Sequence, residues 1–291
     1  MKRLLIQLRQ RLPTLPVAAL LVLCESPAQA FCDESWLQFD QVRQGSSVAV
    51  YATNRLDVPV TFCLVFGHST ADRTGRDAVS DTLAALERRK IHERPAASDQ
   101  DLPAHDVACE LSIGSRHAAH DDDYLYRLPY ADGMSFRVLQ GFNSSWSHRG
   151  IEQFAIDFRM PEGTPVHAAR GGVVARVEEE WDVGCWREEC SNFANFVVIL
   201  HDDGTTGEYY HLQQDGALVD VGDVVSPGQQ IGISGNTGRT VAPHLHFAVY
   251  RATNGGGSQS LPVNFISADG IVHKPRNGHY YFAVGGRSVG D

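Results

Sequence analysis

Five residues in the second half of the chain have the types and spacing to do hydrolytic chemistry. They are His148 and Asp157 in "SHRGIEQFAIDF", His211 in "GEYYHL", and His244 and His246 in "APHLHF". The last pair carries the sharpest local signal. Side chains alternate along a β-strand, so His244 and His246 share one face while Leu245 turns to the core behind them. On a helix, positions two apart diverge by roughly 200°, so the spacing suits a strand. Such a strand delivers two nitrogen ligands, or one ligand and one catalytic base, into a single pocket. The structural alternative is two core histidines bonded to backbone. A catalytic zinc takes three N or O ligands from protein and keeps a fourth position for water. Two histidines and one aspartate meet that demand, and the ion lowers the pKa of its water toward neutrality. Two further imidazoles beside that water would orient it or stabilise the oxyanion on an attacked carbonyl. Hydrolysis of an amide would use such a set.

The segments that must position these residues read as strands. From Tyr124 onward, runs such as "GTPVHAARGGVVARVEEEW", "FANFVVILHDDGTTGEYYHL" and "VGDVVSPGQQIGISGNTG" are cut by Gly, Pro and Asp every few residues. That texture predicts an all-β, antiparallel domain over 125–275, with 276–291 as a C-terminal tail. Residues 31–124 predict a small β-rich N-terminal domain. "SSVAVYATN" and "PVTFCLVF" read as strands parted by a turn at Asn54–Asp57, and "ACELSIGS" as another. Within it, "SDTLAALERRKIHER" (80–94) places Leu83, Leu86 and Lys90 at helical spacing. It reads as one short helix or a polar-faced excursion between strands. Period two puts Tyr209 on the face of His211, either lining a groove or packed in the core. His201, at the turn "HDDG", is expected to cap or face solvent, and His120 to lie on the surface. There is no phosphate loop and no GxSxG elbow.

The N-terminus has the pattern of an export signal. Lys2, Arg3, Arg9 and Arg11 precede the apolar run "LPVAALLVLC", and "AQA" offers small residues for cleavage after Ala30. No other stretch approaches a membrane span, so no stable membrane insertion is expected. Export makes disulfides available to the remaining cysteines. Cys185 and Cys190 could close a short loop, with one further pair among Cys32, Cys63 and Cys109. The net charge of the full chain is −10. Without residues 1–30 the chain has 21 basic and 34 acidic residues, a net of −13. That balance argues against nucleic acid as a partner and against docking on an anionic membrane surface.

The run from "SHRGIEQFAIDFRMPEGTPVHAARGGVV" through "GEYYHL" to "SGNTGRTVAPHLHFAV" is similar to the LytM/lysostaphin-type zinc metallopeptidases of peptidase family M23. The similarity covers about 138–250 and keeps the order of the motifs. It implies a compact antiparallel domain with an open groove. It implies an exported endopeptidase that uses a metal-activated water to cut peptide cross-links of peptidoglycan. The implied metal ligands are His148, Asp157 and His246, holding one Zn2+ per chain, and the implied catalytic histidines are His211 and His244. Peptidoglycan peptide stems are the expected partner, and the chain is expected to be a monomer in the periplasm or secreted. The alternative is a zinc-retaining, non-catalytic module that binds or activates other wall hydrolases. Many family members space the first two ligands as HxxxD. Here they are nine apart, which reads as a loop insertion.

Overall fold

The computed structural model describes residues 35–66, 78–95 and 107–285. Residues 1–30, read above as an export signal, and Cys32 lie outside them. Among the described residues strand follows strand, and the helical turns are two short 3-10 segments, Gly150–Glu152 and Glu188–Phe193.

Among the described residues the largest sheet has nine strands. Its centre runs Gly172–Glu178, Phe196–Leu200, Thr206–Tyr210, Leu245–Ala252, Ile156–Arg159 and Ser135–Gln140, every neighbour antiparallel. Apolar residues at alternate positions face one core. Tyr209, Leu245, Phe247, Val249, Ile156 and Phe158 are all fully buried there. The opposite face carries the polar set. His246 pairs with Asp157 on one side and Tyr210 on the other, and Tyr210 pairs with Phe196. Residues directly opposite in an antiparallel ladder project the same way, so these four share one face. Tyr280–Phe282 adds an edge strand to this sheet against Ser135–Gln140. Part of the segment read as a tail therefore belongs to the sheet.

The N-terminal unit is two three-stranded sheets. Leu37–Gln44, Ser47–Asn54 and Arg88–Pro95 form one; Ala78–Leu83, Val60–Phe66 and Val107–Ile113 form the other. Leu37 and Ala52 from the first sheet meet Phe62, Leu64 and Leu83 from the second in one core. Residues 80–94 are not a helix. They span the end of one strand, a turn, and the next strand. Leu83 is buried, but Leu86 sits at φ 55° in the turn and is 61% exposed. The helical spacing of the leucines was accidental, because the tight reversal at Leu86 sends flanking residues into different sheets.

Val58 and Ile113 of this unit pack with Ala175 and Val198 of the large sheet, flanked by Trp36, Leu56, Phe196 and Leu200. The Arg176 guanidinium lies 4.8 Å over the Trp36 ring. Val198 is in register with Glu208, and Glu208 with Ala248, so the contact is on the face that carries His246. The N-terminal unit thus abuts the functional face of the sheet from the side.

Candidate active site

A cavity of about 800 Å³ opens over the polar face. All five candidate residues line it. Asp157 and His246 are held by neighbouring strands in direct register. His148 precedes the 3-10 turn Gly150–Glu152 and is 1% exposed. The insertion between His148 and Asp157 is therefore not a loose loop. Gln259 Nε2 donates to the Gly150 carbonyl at 2.9 Å, and Phe154 N donates to Ser260 Oγ at 3.0 Å.

His211 lies between the strands Thr206–Tyr210 and Leu212–Ala217 at φ 68°. A left-handed backbone at a non-glycine residue stores strain that the surroundings must hold. Its effect here is a change of side. Tyr209 and Leu212 are both fully buried in the core, yet His211 reaches the cavity. Tyr209 accordingly does not share the face of His211. It packs in the core, and its hydroxyl accepts from Ala169 N at 2.7 Å. Tyr210 lines the cavity instead.

The hydrogen bonds decide which atoms remain to meet a ligand. His148 Nδ1 lies 3.3 Å from the Gly141 carbonyl. Gln140 Nε2 donates to Asp157 Oδ2 at 2.7 Å. His246 Nε2 faces Glu152 Oε2 at 3.5 Å and the Tyr250 hydroxyl at 3.4 Å. The atoms left over converge. Asp157 Oδ1 is 3.2 Å from His148 Nε2 and 2.9 Å from His246 Nδ1. One donor atom from each of the three residues lies within 4.8 Å of the others. Two imidazole nitrogens and one carboxylate oxygen make a donor set suited to zinc, and each ligand's second polar atom already has a partner.

The two remaining histidines are oriented differently. His211 Nδ1 donates to the Thr237 carbonyl at 2.7 Å, and His244 Nδ1 to the Ala242 carbonyl at 2.8 Å. Both therefore keep Nε2 as the unspent nitrogen. His244 Nε2 stands 3.9 Å from Asp157 Oδ1, and the two rings lie 4.5 Å apart, centre to centre. Burial, reinforced by His244 and His246 nearby, pushes the His211 imidazole down to about 3, so it is neutral at pH 7. Burial would lower His246, but hydrogen bonds to Asp157 and Glu152 outweigh it and raise the ring to about 10. Burial would raise Asp157, but the same bonds from His148 and His246 hold it well below the usual carboxylate range.

Comparison with known proteins places this geometry. Residues 152–261 match the profile of peptidase family M23. The chain carries an M23 peptidase domain. Asp157, His211, His244 and His246 fall inside the matched residues; His148 precedes them, and it is the fold that brings it to the other four. Over 144 residues the chain is 43% identical to the peptidoglycan DD-endopeptidase ShyA of Vibrio cholerae, covering 48% of this chain and 29% of that protein. It is 35% identical over 124 residues to lysostaphin of Staphylococcus simulans, covering 42% of this chain and 22% of that protein. The chain thus spans under a third of the length of either relative. The solved structure of lysostaphin from Staphylococcus simulans is similar at 30% identity, covering 43% of this chain and 47% of that one, with a TM-score of 0.32.

Three residues that hold the candidate ligands escape a local reading of the sequence: Gln140, Glu152 and Tyr250. Tyr250 could have been found, since period two along Leu245–Ala252 puts it on the face of His246. Nothing local marks Gln140 or Glu152. His201 and His120 also differ from expectation. His201 is 3% exposed, with Nδ1 2.9 Å from the Gly171 carbonyl. The His120 side chain is 5% exposed, between Asp122 and Tyr126. Neither lines the cavity. The turn sequences around them are polar, but the Tyr126 ring packs against both, and Arg170, paired with Asp202 and Asp203, ties down its hydroxyl.

The wall loop of the cavity carries the Cys185–Cys190 disulfide, with the exposed Trp186 inside it. Cys109 is also disulfide-bonded. Among the described residues no helix is long and apolar enough to cross a membrane.

Proposed function

We propose that this chain is an exported zinc endopeptidase that hydrolyses peptide cross-links in peptidoglycan. The observation that carries the reading is the convergence of His148 Nε2, Asp157 Oδ1 and His246 Nδ1, with two further imidazoles on the same cavity, each bonded through Nδ1 to a backbone carbonyl. The substrate class rests on the M23 domain and on the names of its relatives, among them a peptidoglycan DD-endopeptidase and a glycyl-glycine endopeptidase. Export rests on the signal pattern of residues 1–30. It places the enzyme in the periplasm or outside the cell, acting as a monomer with one zinc per chain.

His148, Asp157 and His246 would hold the ion. When bound it supplies Lewis-acid polarisation of the scissile carbonyl and a water that ionises near neutral pH. The chain's own residues do the proton work. His211, held neutral by burial, and His244, its Nδ1 likewise spent on a backbone carbonyl, both line the cavity, and the Nε2 of either would accept a proton as water oxygen bonds to the amide carbon. The C–N bond then breaks, and the same proton passes to the departing amine nitrogen. Asp157, tied on Oδ2 by Gln140, keeps the ligand cluster from rotating. Trp146 and Trp186 at the cavity mouth offer surfaces for the stem peptide. A non-catalytic, zinc-retaining module would need the three ligands but not the oriented pair at 211 and 244.

Purified residues 31–291 loaded with zinc should convert cross-linked muropeptides into monomers, resolved by liquid chromatography with mass detection. His246→Ala should lose zinc and activity together. His244→Ala should keep zinc and lose at least about 10²-fold in turnover, the range expected for removing a proton-transfer group. Full zinc occupancy in His246→Ala, or undiminished turnover in His244→Ala, overturns the assignment.

A further inference from the structure

The nine-residue separation of His148 and Asp157 has a physical use. Between them the chain makes the 3-10 turn Gly150–Glu152, closed by Glu152 N donating to the Arg149 carbonyl at 3.1 Å. Ala155 N then donates to the Glu152 carbonyl at 3.0 Å, returning the chain to the strand that carries Asp157. The turn is pinned to the neighbouring strand Ser258–Ser260 by Gln259 and Ser260. Its last residue, Glu152, lines the cavity on the side of His246 away from Asp157.

There Glu152 meets a small polar group. The Tyr250 hydroxyl donates to Glu152 Oε2. His246 Nε2 lies 3.5 Å from that same Oε2 and 3.4 Å from the Tyr250 oxygen. Tyr250 has spent its proton on the carboxylate, so both oxygens facing His246 Nε2 are acceptors. A ring nitrogen facing two acceptors must carry its hydrogen. His246 is then left with Nδ1 as the only lone pair it can give to an ion, and Nδ1 is the atom beside Asp157.

We propose that Glu152, braced by Tyr250, is a positioning residue: it fixes the tautomer and tilt of His246 so that Nδ1 is presented to the metal. This rests on the assignment of His246 as a ligand. The insertion between the first two ligands is thereby the segment that supplies the third ligand's brace. A carboxylate behind a metal-bound imidazole raises its donor strength, and its loss commonly costs 10–100-fold in metal affinity.

The test is zinc affinity of the full mature chain, measured by competition with a chromophoric chelator at pH 7. Glu152→Ala should weaken zinc by about 10–100-fold. Glu152→Gln keeps an acceptor oxygen and should recover much of that loss, while Tyr250→Phe should weaken zinc by less than Glu152→Ala. Heteronuclear spectra of histidine-labelled, zinc-loaded protein should show a shifted ring Nε2–H signal for His246 that moves in Glu152→Ala and largely returns in Glu152→Gln. A merely structural role for Glu152 would lower stability without moving that signal. Asp157→Ala serves as the control for the underlying assignment. If Asp157→Ala loses zinc and Glu152→Ala binds as tightly as wild type with the ring signal unchanged, the bracing role is refuted. If Asp157→Ala and His246→Ala both bind as wild type, the ligand assignment itself has failed. Should Glu152→Ala not fold, Glu152→Met, similar in size but without an acceptor oxygen, takes its place: wild-type affinity and ring signal in it overturn the proposal.

Discussion

Two parts of the site are held by different physics. Asp157 and His246 stand on central strands, paired residue to residue and backed by fully buried Phe158, Leu245 and Phe247. Their positions follow from ladder register and a close-packed core, so either one moves only if the sheet moves. His148, His211 and His244 stand on connections. Each is aimed by a bond from Nδ1 to a backbone carbonyl, at Gly141, Thr237 and Ala242 respectively, and His211 holds a left-handed backbone besides. The difference teaches that the strand pair should fail globally and late, whereas the connection-borne histidines should fail locally, losing geometry before the fold is lost.

The largest effect should come from the core behind the strand pair. Phe247→Ala removes a fully buried ring behind His246 and should cost about 3–5 kcal/mol of stability. Chemical denaturation would show it, with zinc binding and unfolding lost in one transition. Loss of zinc without loss of stability would break the contrast.

Next comes a local lesion beside His211. A Cβ at Gly235 would lie 2.5 Å from Gln213 N and 2.7 Å from the Leu212 carbonyl carbon, and Gly235 N donates to the His211 carbonyl. Gly235→Ala should therefore displace His211 and reduce turnover by about 10²-fold, with zinc affinity nearly unchanged. Steady-state kinetics beside a zinc titration would separate the two.

Removing the wall disulfide should do less. Cys185→Ser with Cys190→Ser opens a loop with a sequence separation of 5. By loop-closure entropy that is worth about 2 kcal/mol, read as a lower melting temperature. The ligand cluster does not touch this loop, so zinc affinity should hold.

The smallest effect per step is on pH. In the metal-free chain His246 is raised to about 10, so at pH 7 both ring nitrogens carry protons. Zinc must expel the one on Nδ1. Asp157 is already ionised and releases none. From about pH 7 toward 10, each unit of pH removes about 1.4 kcal/mol of proton competition. Apparent affinity should therefore rise about tenfold per unit and flatten near pH 10. Calorimetry in buffers of different ionisation heat should find about one proton released from His246 per zinc at pH 7. Release of none would mean that His246 is neutral before the metal arrives.

How much of this was legible beforehand depends on range. The alternation in "PHLHFAVY" is a local pattern, and the structure puts His246 and Leu245 on opposite faces as it predicts. The glycine-punctuated strand texture likewise anticipated the all-β fold. Tyr209 misled because parity was carried one residue too far, across the kink at His211. Residues 80–94 left two readings open because helical spacing over so few turns is weak evidence. Only Leu86 at positive φ, held by its amide bond to the Leu56 carbonyl, chose between them.

The sequence by itself determined the chemistry on offer: which imidazoles and carboxylate exist, which strand face bears His246, and what family the motifs resemble. Those properties are set by side-chain type and by the two-residue period of an extended backbone. The tertiary structure alone decided which nitrogen of each ring points inward, that a turn between His148 and Asp157 carries Glu152 to His246, and that the N-terminal unit abuts the functional face. The ring orientations depend on how turns fold the chain back onto its own carbonyls, and the other two on segments distant in the chain coming into contact. No local pattern encodes that, because contact is chosen by the packing of the whole core.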